Sequence, residues 1–408
     1  MASWIWKKFW LYEKDVFFPA FAGHTAGAYM TLRVLVVDDT VTFRKILSDA
    51  LAEIPGVEVI GTAHHGKMAM TRIQTLRPDL VTLDIEMPEM DGLEVLEAIR
   101  SQKLDVGVIM VSAFTQRGSE MTIRALELGA FDFITKGTEG DYAQNRESIR
   151  IALAPLVKAY AQRREIHAIL KGTSPAPPPR TTVEPAAKSS AAMEPGLPTA
   201  AGTAKKRPEL VLIGVSTGGP NALTTVIPAL PANLGVPVLI VQHMPPLFTH
   251  TLAESLDKKS ALHVKEAEHG EMALPNTVYI APGGKQMKVE AGQGGNPFIQ
   301  ITDDPSENNC KPSADTLFRS ASQHFPGRVC AVIKTGMGSD GTLGLRLIKR
   351  HPARVIAQDE ASCVVFGMPK EAIAAGVVDV IIPLDAIAGE IRKTVQGLIP
   401  PPAFGAAR

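Results

Sequence analysis

Short β-branched runs alternate with amphipathic helical stretches along two portions of this 408-residue chain, and a proline-rich stretch separates the two. From Thr31, LRVLVV (Leu32–Val37) reads as a strand ending in Asp38-Asp39. Thr40 offers a hydroxyl for a helix N-cap, and Phe43, Ile46, Leu47, Ala50, Leu51 and Ile54 then fall on one helical face. After a turn at Pro55-Gly56, strand-like runs recur at Val57–Ile60, Leu80–Asp84, Val108–Val111 and Phe131–Thr135. Such alternation predicts a parallel sheet with helices on both faces. Residues 171–208 hold eight prolines among 38 residues, which predicts a flexible, partly extended linker that buries too little to offset its entropy. Beyond it come strand-like runs at Leu210–Val215, Val236–Val241, Thr277–Ile280, Arg328–Ile333 and Arg354–Ala357. Helical stretches such as Ala222–Leu230 and Leu343–Arg350 lie between them, and the irregular residues 258–311 read as a β meander.

Composition narrows the function classes. Forty-two basic residues balance 42 acidic ones, which argues against a dedicated nucleic-acid binder. Hydrophobic residues at 45% exclude wholesale disorder, and three cysteines (Cys310, Cys330, Cys363) point to a reducing, cytoplasmic compartment without a disulfide framework. No uncharged apolar stretch approaches the ~20 residues of a membrane span. All three tryptophans (Trp4, Trp6, Trp10) lie in the first ten residues, in a segment without sustained periodicity. Residues 1–30 therefore read as a poorly ordered extension, with a membrane-surface anchor as the alternative and Met30 as an alternative start.

Ligands of open parallel sheets sit beyond the carboxyl ends of the strands. Asp38 and Asp39 follow one strand, Asp84 ends another, Ser112 a third, and Lys136 follows a fourth. Converging carboxylates repel one another, and Mg2+ with oxygen ligands removes that repulsion. A phosphoryl group on Asp84, met by Lys136 and Ser112, is the natural occupant. Acids and hydroxyls are common in βα loops taken singly, but five fitting residues at four of the five strand ends are not. Residues 31–155 resemble a response-regulator receiver domain, with DD, LDIEMPEMDG, VSA and K in order. The resemblance implies a flavodoxin-like (βα)5 fold and phosphotransfer from a histidine kinase to Asp84. It also implies Mg2+ on Asp38, Asp39 and Asp84, and Ser112 and Phe133 as switch residues. Gly137 stands where the family usually has proline, a change that bears on the loop carrying Lys136.

In the second portion, Gly214-Val215-Ser216-Thr217-Gly218 matches the G-x-S-x-G turn that exposes a nucleophilic hydroxyl between strand and helix. The same turn could cradle a phosphate. His243 follows the next strand, and Asp340 lies in GMGSDG after another, so Ser216, His243 and Asp340 could form a nucleophile–base–acid set. Taken singly, His243 could be a structural histidine and Asp340 a helix cap. His250, His263, His269 and His324 are rival bases without so clean a preceding strand. Residues 209–399 resemble the catalytic domain of the chemotaxis methylesterase through IGVSTGGP, VQHMP, YIAPGG, PSADTLFRSA, TGMGSDG and AQDEASCVVFGMPKEA. That implies a doubly wound parallel α/β sheet, Ser216 as nucleophile, His243 as base and Asp340 as orienting acid. Thr217 and Met337 would give backbone N–H groups to an oxyanion hole. The implied substrates are glutamate methyl esters, and in some members glutamines, on chemoreceptors, with no cofactor for the ester reaction. Lys334 and Asn309-Cys310 depart from the family pattern and are expected to touch no catalytic atom, with Cys310 a loop thiol.

The expected architecture is thus an N-terminal extension (1–30), a receiver (31–155), a helix end and linker (156–208), a catalytic domain (209–399) and a tail (400–408). The expected partners are a kinase phosphodonor and methylated receptors, with no nucleic acid, no membrane insertion and a monomeric state. The competing readings are a phospho-regulated docking module without catalysis and a DNA-binding regulator, for which no basic helix-turn-helix is evident.

Overall fold

The computed structural model describes residues 31–137, 141–170 and 207–399, with side chains to residue 166 in the second segment. The expectations for residues 1–30, for most of the linker and for residues 400–408 lie outside the described residues. From Leu32 on, the described residues fall in one compact unit built around two sheets.

The first sheet takes β1 (Leu32–Val37), β2 (Val57–Ala63), β3 (Leu80–Asp84), β4 (Gly107–Ser112) and β5 (Asp132–Thr135) in the order β2-β1-β3-β4-β5. All its pairings are parallel, the flavodoxin-like order. Helices α1 (Val41–Ala52), α2 (Gly66–Leu76), α3 (Gly92–Ser101), α4 (Gln116–Glu127) and α5 (Tyr142–Leu170) connect and flank the strands. The predicted face of α1 is the buried one, through Ile46, Leu47, Ala50 and Leu51. Thr40 does hold the N-cap position, but its hydroxyl donates to Asp39 Oδ1 at 3.1 Å instead of capping the helix. Helix α5 keeps packing beyond residue 155. The Tyr160 ring meets Phe131 edge-on, its hydroxyl donates to Asp79 O at 2.9 Å, and Arg164 pairs with Asp79. Gly107 makes room, since a Cβ there would lie 2.3 Å from the Tyr160 ring.

The second sheet has seven parallel strands. In chain order come β6 (Leu210–Val215), α6 (Gly219–Val226), β7 (Val238–Gln242), α7 (Phe248–Asp257), β8 (His263–Glu266) and β9 (Thr277–Ile280). There follow β10 (Gln286–Ala291), β11 (Pro297–Thr302), α8 (Ala314–His324), β12 (Val329–Ile333), α9 (Thr342–Ile348), β13 (Arg354–Gln358), α10 (Met368–Ala374), β14 (Val380–Ile382) and α11 (Ile387–Val395). The order β14-β13-β12-β6-β7-β9-β8 places β6 centrally, with β7 on one side and β12 on the other. That is the point where chain progression reverses and a crevice opens. Within residues 258–311 the antiparallel part is the β10/β11 hairpin, whereas β8 and β9 extend the parallel sheet.

The two sheets meet through α4 and α7. Phe248, fully buried, stacks on Phe133 with ring centroids 4.6 Å apart, and Ser119 and Thr251 share a hydrogen bond of 2.8 Å. Glu127 accepts from Ser255 Oγ and pairs with Lys259, both at 2.5 Å.

Lys334 is fully buried just after β12, and its ammonium donates to Ala222 O at 2.8 Å, without a carboxylate partner among the described residues. Burial pushes its pKa down to about 7. Between that value and the unfolded-chain value near ~10.4, the unfolded state holds a proton that the native state has shed, so stability rises with pH by up to ~1.4 kcal/mol per unit. Below pH 7 both states are protonated and the full cost of the buried charge remains. Lys334→Met should therefore raise the melting temperature most below pH 7, by a few degrees at least, and flatten the pH dependence between 7 and 10. Thermal melts across that range check it.

Candidate functional site

Asp38, just past β1, is fully buried, and Asp84, at the end of β3, is nearly so. Lys136, past β5, reaches between them, with Nζ 2.8 Å from Asp38 Oδ2 and 2.7 Å from Asp84 Oδ2. Its stem also passes Phe43, with Nζ 5.1 Å from the ring centroid. Burial pushes the Asp84 carboxyl up to about 6, with Lys136 opposing and Asp38 adding to the rise. Burial alone would lower Lys136, but the two carboxylates outweigh it and hold the ammonium charged. Asp38, Asp39 and Asp84 each bring an oxygen within 4.8 Å of the others. Asp38 Oδ2, despite its ion pair with Lys136, is buried without a well-directed hydrogen bond. Three hard oxygen donors with an under-satisfied buried oxygen fit a small divalent cation such as Mg2+. Ser112 Oγ donates at 3.2 Å to Ala113 O and Gly118 O and accepts from Thr122, which ties it to α4 in this state. Phe133, the other expected switch residue, lies in the seam against Phe248. Gly137 lets the neighbouring Asn145 amide come close, since a Cβ would lie 2.9 Å from its Oδ1.

In the second sheet, the β6/β7 register sets Val215 opposite Gln242, so Ser216 and His243 emerge side by side. His243 N donates to Val215 O at 3.1 Å, and Gln242 Nε2 reaches the carbonyls of Ser216 and His243 at 3.1 and 3.2 Å. Ser216 N donates to Thr335 O beyond β12, at 3.0 Å. Gly336 permits this approach, for a Cβ there would sit 2.7 Å from Ser216 Cβ. Gly218 turns the chain into α6 at φ +74°, in the left-handed region that glycine adopts freely, and a Cβ would collide with Val364. The Thr217 and Met337 amides, the expected oxyanion donors, have no hydrogen-bond acceptor among the described residues.

His243 Nε2 lies 2.7 Å from Asp340 Oδ2. Asp340 is almost fully buried and receives four further donors: Ser313 Oγ, Ala314 N, Asp315 N and Asn308 Nδ2. The first turn of α8 therefore caps the carboxylate, a favourable place for an anion. Asp340 does not cap α9, whose N-cap is Gly341. Burial would raise Asp340, but His243, Ser313 and Ala314 outweigh it and hold it down at about 2. Burial would likewise lower His243, but the Asp340 and Cys310 contacts lift it to about 9. His250 pairs with Glu254 and Glu266, His263 with Asp257, and His269 with Ile301 O, so none of these three rivals joins this constellation.

The structure brings His243 and Asp340 into direct contact and sets Ser216 on the neighbouring strand end. No hydrogen bond joins Ser216 Oγ to the imidazole among the described residues. His243 Nδ1 faces Cys310 Sγ instead, at 3.6 Å. The expectation that Cys310 touches no catalytic atom is thus overturned. Its loop folds back from β11 to the mouth of the sheet, passing through left-handed Asn308 and Asn309. Lys334 bonds the α6 backbone and touches none of these groups. Asn308, Ser313 and Asp315 are further site residues that strand-end reasoning missed. A Ser before a helical Asp, as in PSAD, is a helix-start signal, but nothing in it says what the helix points at.

An NMR titration of the His243 imidazole checks this electrostatic arrangement. The ring should stay protonated well above the ordinary ~6.5 and titrate near 9, and Asp340→Asn should move the midpoint down by a unit or more. The pair's contribution to stability is then full below about 6.5 and is lost as pH rises through the folded value.

A family model described as CheB methylesterase matches residues 211–391, and one described as response regulator receiver domain matches residues 34–145. A Desulfotalea psychrophila protein named protein-glutamate methylesterase/protein-glutamine glutaminase is 52% identical over 368 residues, covering 90% of this chain and 99% of its own length. A Bacillus subtilis protein of the same name is 44% identical over 371 residues, covering 90% of this chain and 99% of its own. The crystal structure of the Thermotoga maritima CheB methylesterase catalytic domain is similar at 43% identity and a TM-score of 0.45, over 46% of this chain and 98% of that one.

Proposed function

We propose, because this chain belongs to the protein-glutamate methylesterase/protein-glutamine glutaminase family, that it is a phosphorylation-activated serine hydrolase that demethylates glutamate methyl esters on chemoreceptors. The observation that carries the chemistry is the 2.7 Å His243–Asp340 contact beside the Ser216 turn at the sheet's reversal point. Asp340, an anion held by five donors, keeps a proton on Nε2, and in the fraction of molecules whose ring has shed its second proton, which grows as pH approaches 9, the Nδ1 lone pair is the base. Nδ1 takes the Ser216 proton as Oγ attacks the ester carbonyl, and the free Thr217 and Met337 amides receive the oxyanion. The imidazolium then protonates the departing methoxide oxygen, which leaves as methanol, and water, activated by the same nitrogen, releases glutamate from the acyl-serine. A glutamine side chain would pass through the same intermediate with ammonia leaving. These steps use side-chain and backbone groups only.

On the receiver side, Asp84 takes a phosphoryl group from a histidine kinase. Mg2+ held by Asp38, Asp39 and Asp84 would, when bound, neutralise the charge gathering on the phosphoryl oxygens. Lys136 is placed to follow the new charge, and Ser112 can leave α4 to meet it. Regulation is supported by the seam. Phe133 stacks on Phe248, and the neighbouring Asp132 carboxylate accepts a hydrogen bond from the Thr217 side chain. A receiver carboxylate on the residue meant to serve an oxyanion opposes the reaction, so the closed arrangement is the resting one and phosphorylation loosens it. Among the described residues no helix is long and apolar enough to cross a membrane. We take the protein to act as a cytoplasmic monomer.

Ser216→Ala should abolish methanol release from methylated receptors, and full activity would move the nucleophile elsewhere. If the wild-type protein releases no methanol with or without a phosphodonor, the docking-module reading stands in its place. Asp84→Asn should keep basal hydrolysis but lose stimulation by a small phosphodonor with Mg2+. Asp132→Asn and Phe133→Ala should each raise the unphosphorylated rate several-fold, and unchanged basal rates in both would remove the seam from regulation.

A further inference from the structure

We infer that Cys310 is a covalent-modification site for peroxides and soft electrophiles, at which an adduct closes the hydrolytic site by occupying the base. The inference rests on the reading of His243 as that base. Cys310 Sγ lies 3.6 Å from His243 Nδ1, while Nε2 is committed to Asp340. Nδ1 is therefore the one ring nitrogen available to Ser216, and in this state it faces the Cys310 thiol. The three residues form a thiol–imidazole–carboxylate relay, the arrangement that activates a sulfur nucleophile by moving its proton to a neighbouring histidine.

Cys310 is partly exposed, so reagents can reach it. The other two cysteines act as internal references. Cys330 is fully buried, and burial pushes its thiol up to about 12. Cys363 has comparable exposure to Cys310, but burial followed by the charge of Asp359 pushes it up to about 12 as well. Neither of these two has a histidine partner among the described residues.

The chemistry balances without further co-reactants. The Sγ proton moves to Nδ1, giving a thiolate beside an imidazolium that Asp340 stabilises. With iodoacetamide, the thiolate forms an S–C bond, the C–I bond breaks and iodide leaves. With hydrogen peroxide, sulfur bonds one oxygen, the O–O bond breaks, and departing hydroxide takes the imidazolium proton to become water. Sulfur is oxidised by two electrons to the sulfenic acid and the peroxide is reduced. Either product fills the gap between loop and ring, and the sulfenic hydroxyl can itself donate to Nδ1. Ser216 then has no acceptor for its proton. A thiol reductant returns the sulfenic acid, through a mixed disulfide, to the free thiol.

Peptide mass spectrometry of the full-length protein under limiting iodoacetamide or peroxide tests the site apart from activity. Cys310 should react about tenfold or more faster than Cys363 and Cys330, and His243→Asn should slow it by a similar factor. Methanol release should fall in step with Cys310 modification and return with dithiothreitol after peroxide. Cys310→Ser and Cys310→Ala should each hold their own starting rate through the same treatment. Equal labelling of Cys363, indifference to His243→Asn, or undiminished methanol release with Cys310 fully modified would each overturn the inference. The same labelling run on Ser216→Ala separates the two readings. An untreated wild type without methanol release sinks the hydrolase reading, and the thiol rates then decide the modification site on their own.

Discussion

Parallel hydrogen bonding is the constraint from which the rest follows. When every strand of a sheet runs the same way, every carboxyl end opens onto one edge, and the residues just beyond those ends converge whatever their distance in the chain. Asp38, Asp84 and Lys136 are brought together in this way in the first sheet, from positions almost a hundred residues apart. Ser216, His243 and the Thr335–Asp340 loop are brought together likewise around β6 in the second. Completely buried strands such as β6 and β12 fix these ends firmly, because a shift in register would move polar residues into the sheet.

The same device yields two opposite carboxylates. Asp340 has donors on both oxygens, including the first amides of α8, and is a permanent anion suited to holding an imidazole. Asp84 has one ammonium, shared with Asp38, and burial raises its pKa. A carboxylate so weakly compensated is poised to exchange partners, which suits a group that accepts and loses a phosphoryl. Number and direction of donors, not residue type, separate the proposed orienting acid from the proposed phosphoryl acceptor.

Residues fixed by strand ends could be read from the chain, because period and terminus suffice to place them. Leu32–Val37, Leu80–Asp84 and Leu210–Val215 matched residue for residue, and the acids and serine at their ends, together with His243 after β7, lie at the two edges as expected. The residues that complete the second site arrive by other routes. Cys310 sits on a loop returning from the β10/β11 hairpin, and Asn308 and Ser313 belong to the approach to α8. Their direction depends on how that loop closes, and no local pattern encodes it. The α4–α7 seam was hidden for a different reason. Ser119 and Thr251 are polar residues on α4 and α7, yet both are buried against each other. Polarity marks a surface without telling which surface will cover it.

The stack of Phe133 on Phe248 sets a limit on how sharply this chain can switch. An aromatic pair contributes about 0.5–1.5 kcal/mol beyond its buried area. Carrying a two-state equilibrium from about 1:99 to 99:1 takes about 5.5 kcal/mol. Losing that stacking preference alone changes the ratio of closed to open molecules by at most little more than tenfold. A full transition has to release the Ser119–Thr251 and Glu127–Ser255 bonds and the Asp132 contact as well. On the proposed regulatory reading, cooperativity is therefore distributed along the seam, and the background turnover of the unphosphorylated protein is set by the sum of several small contacts.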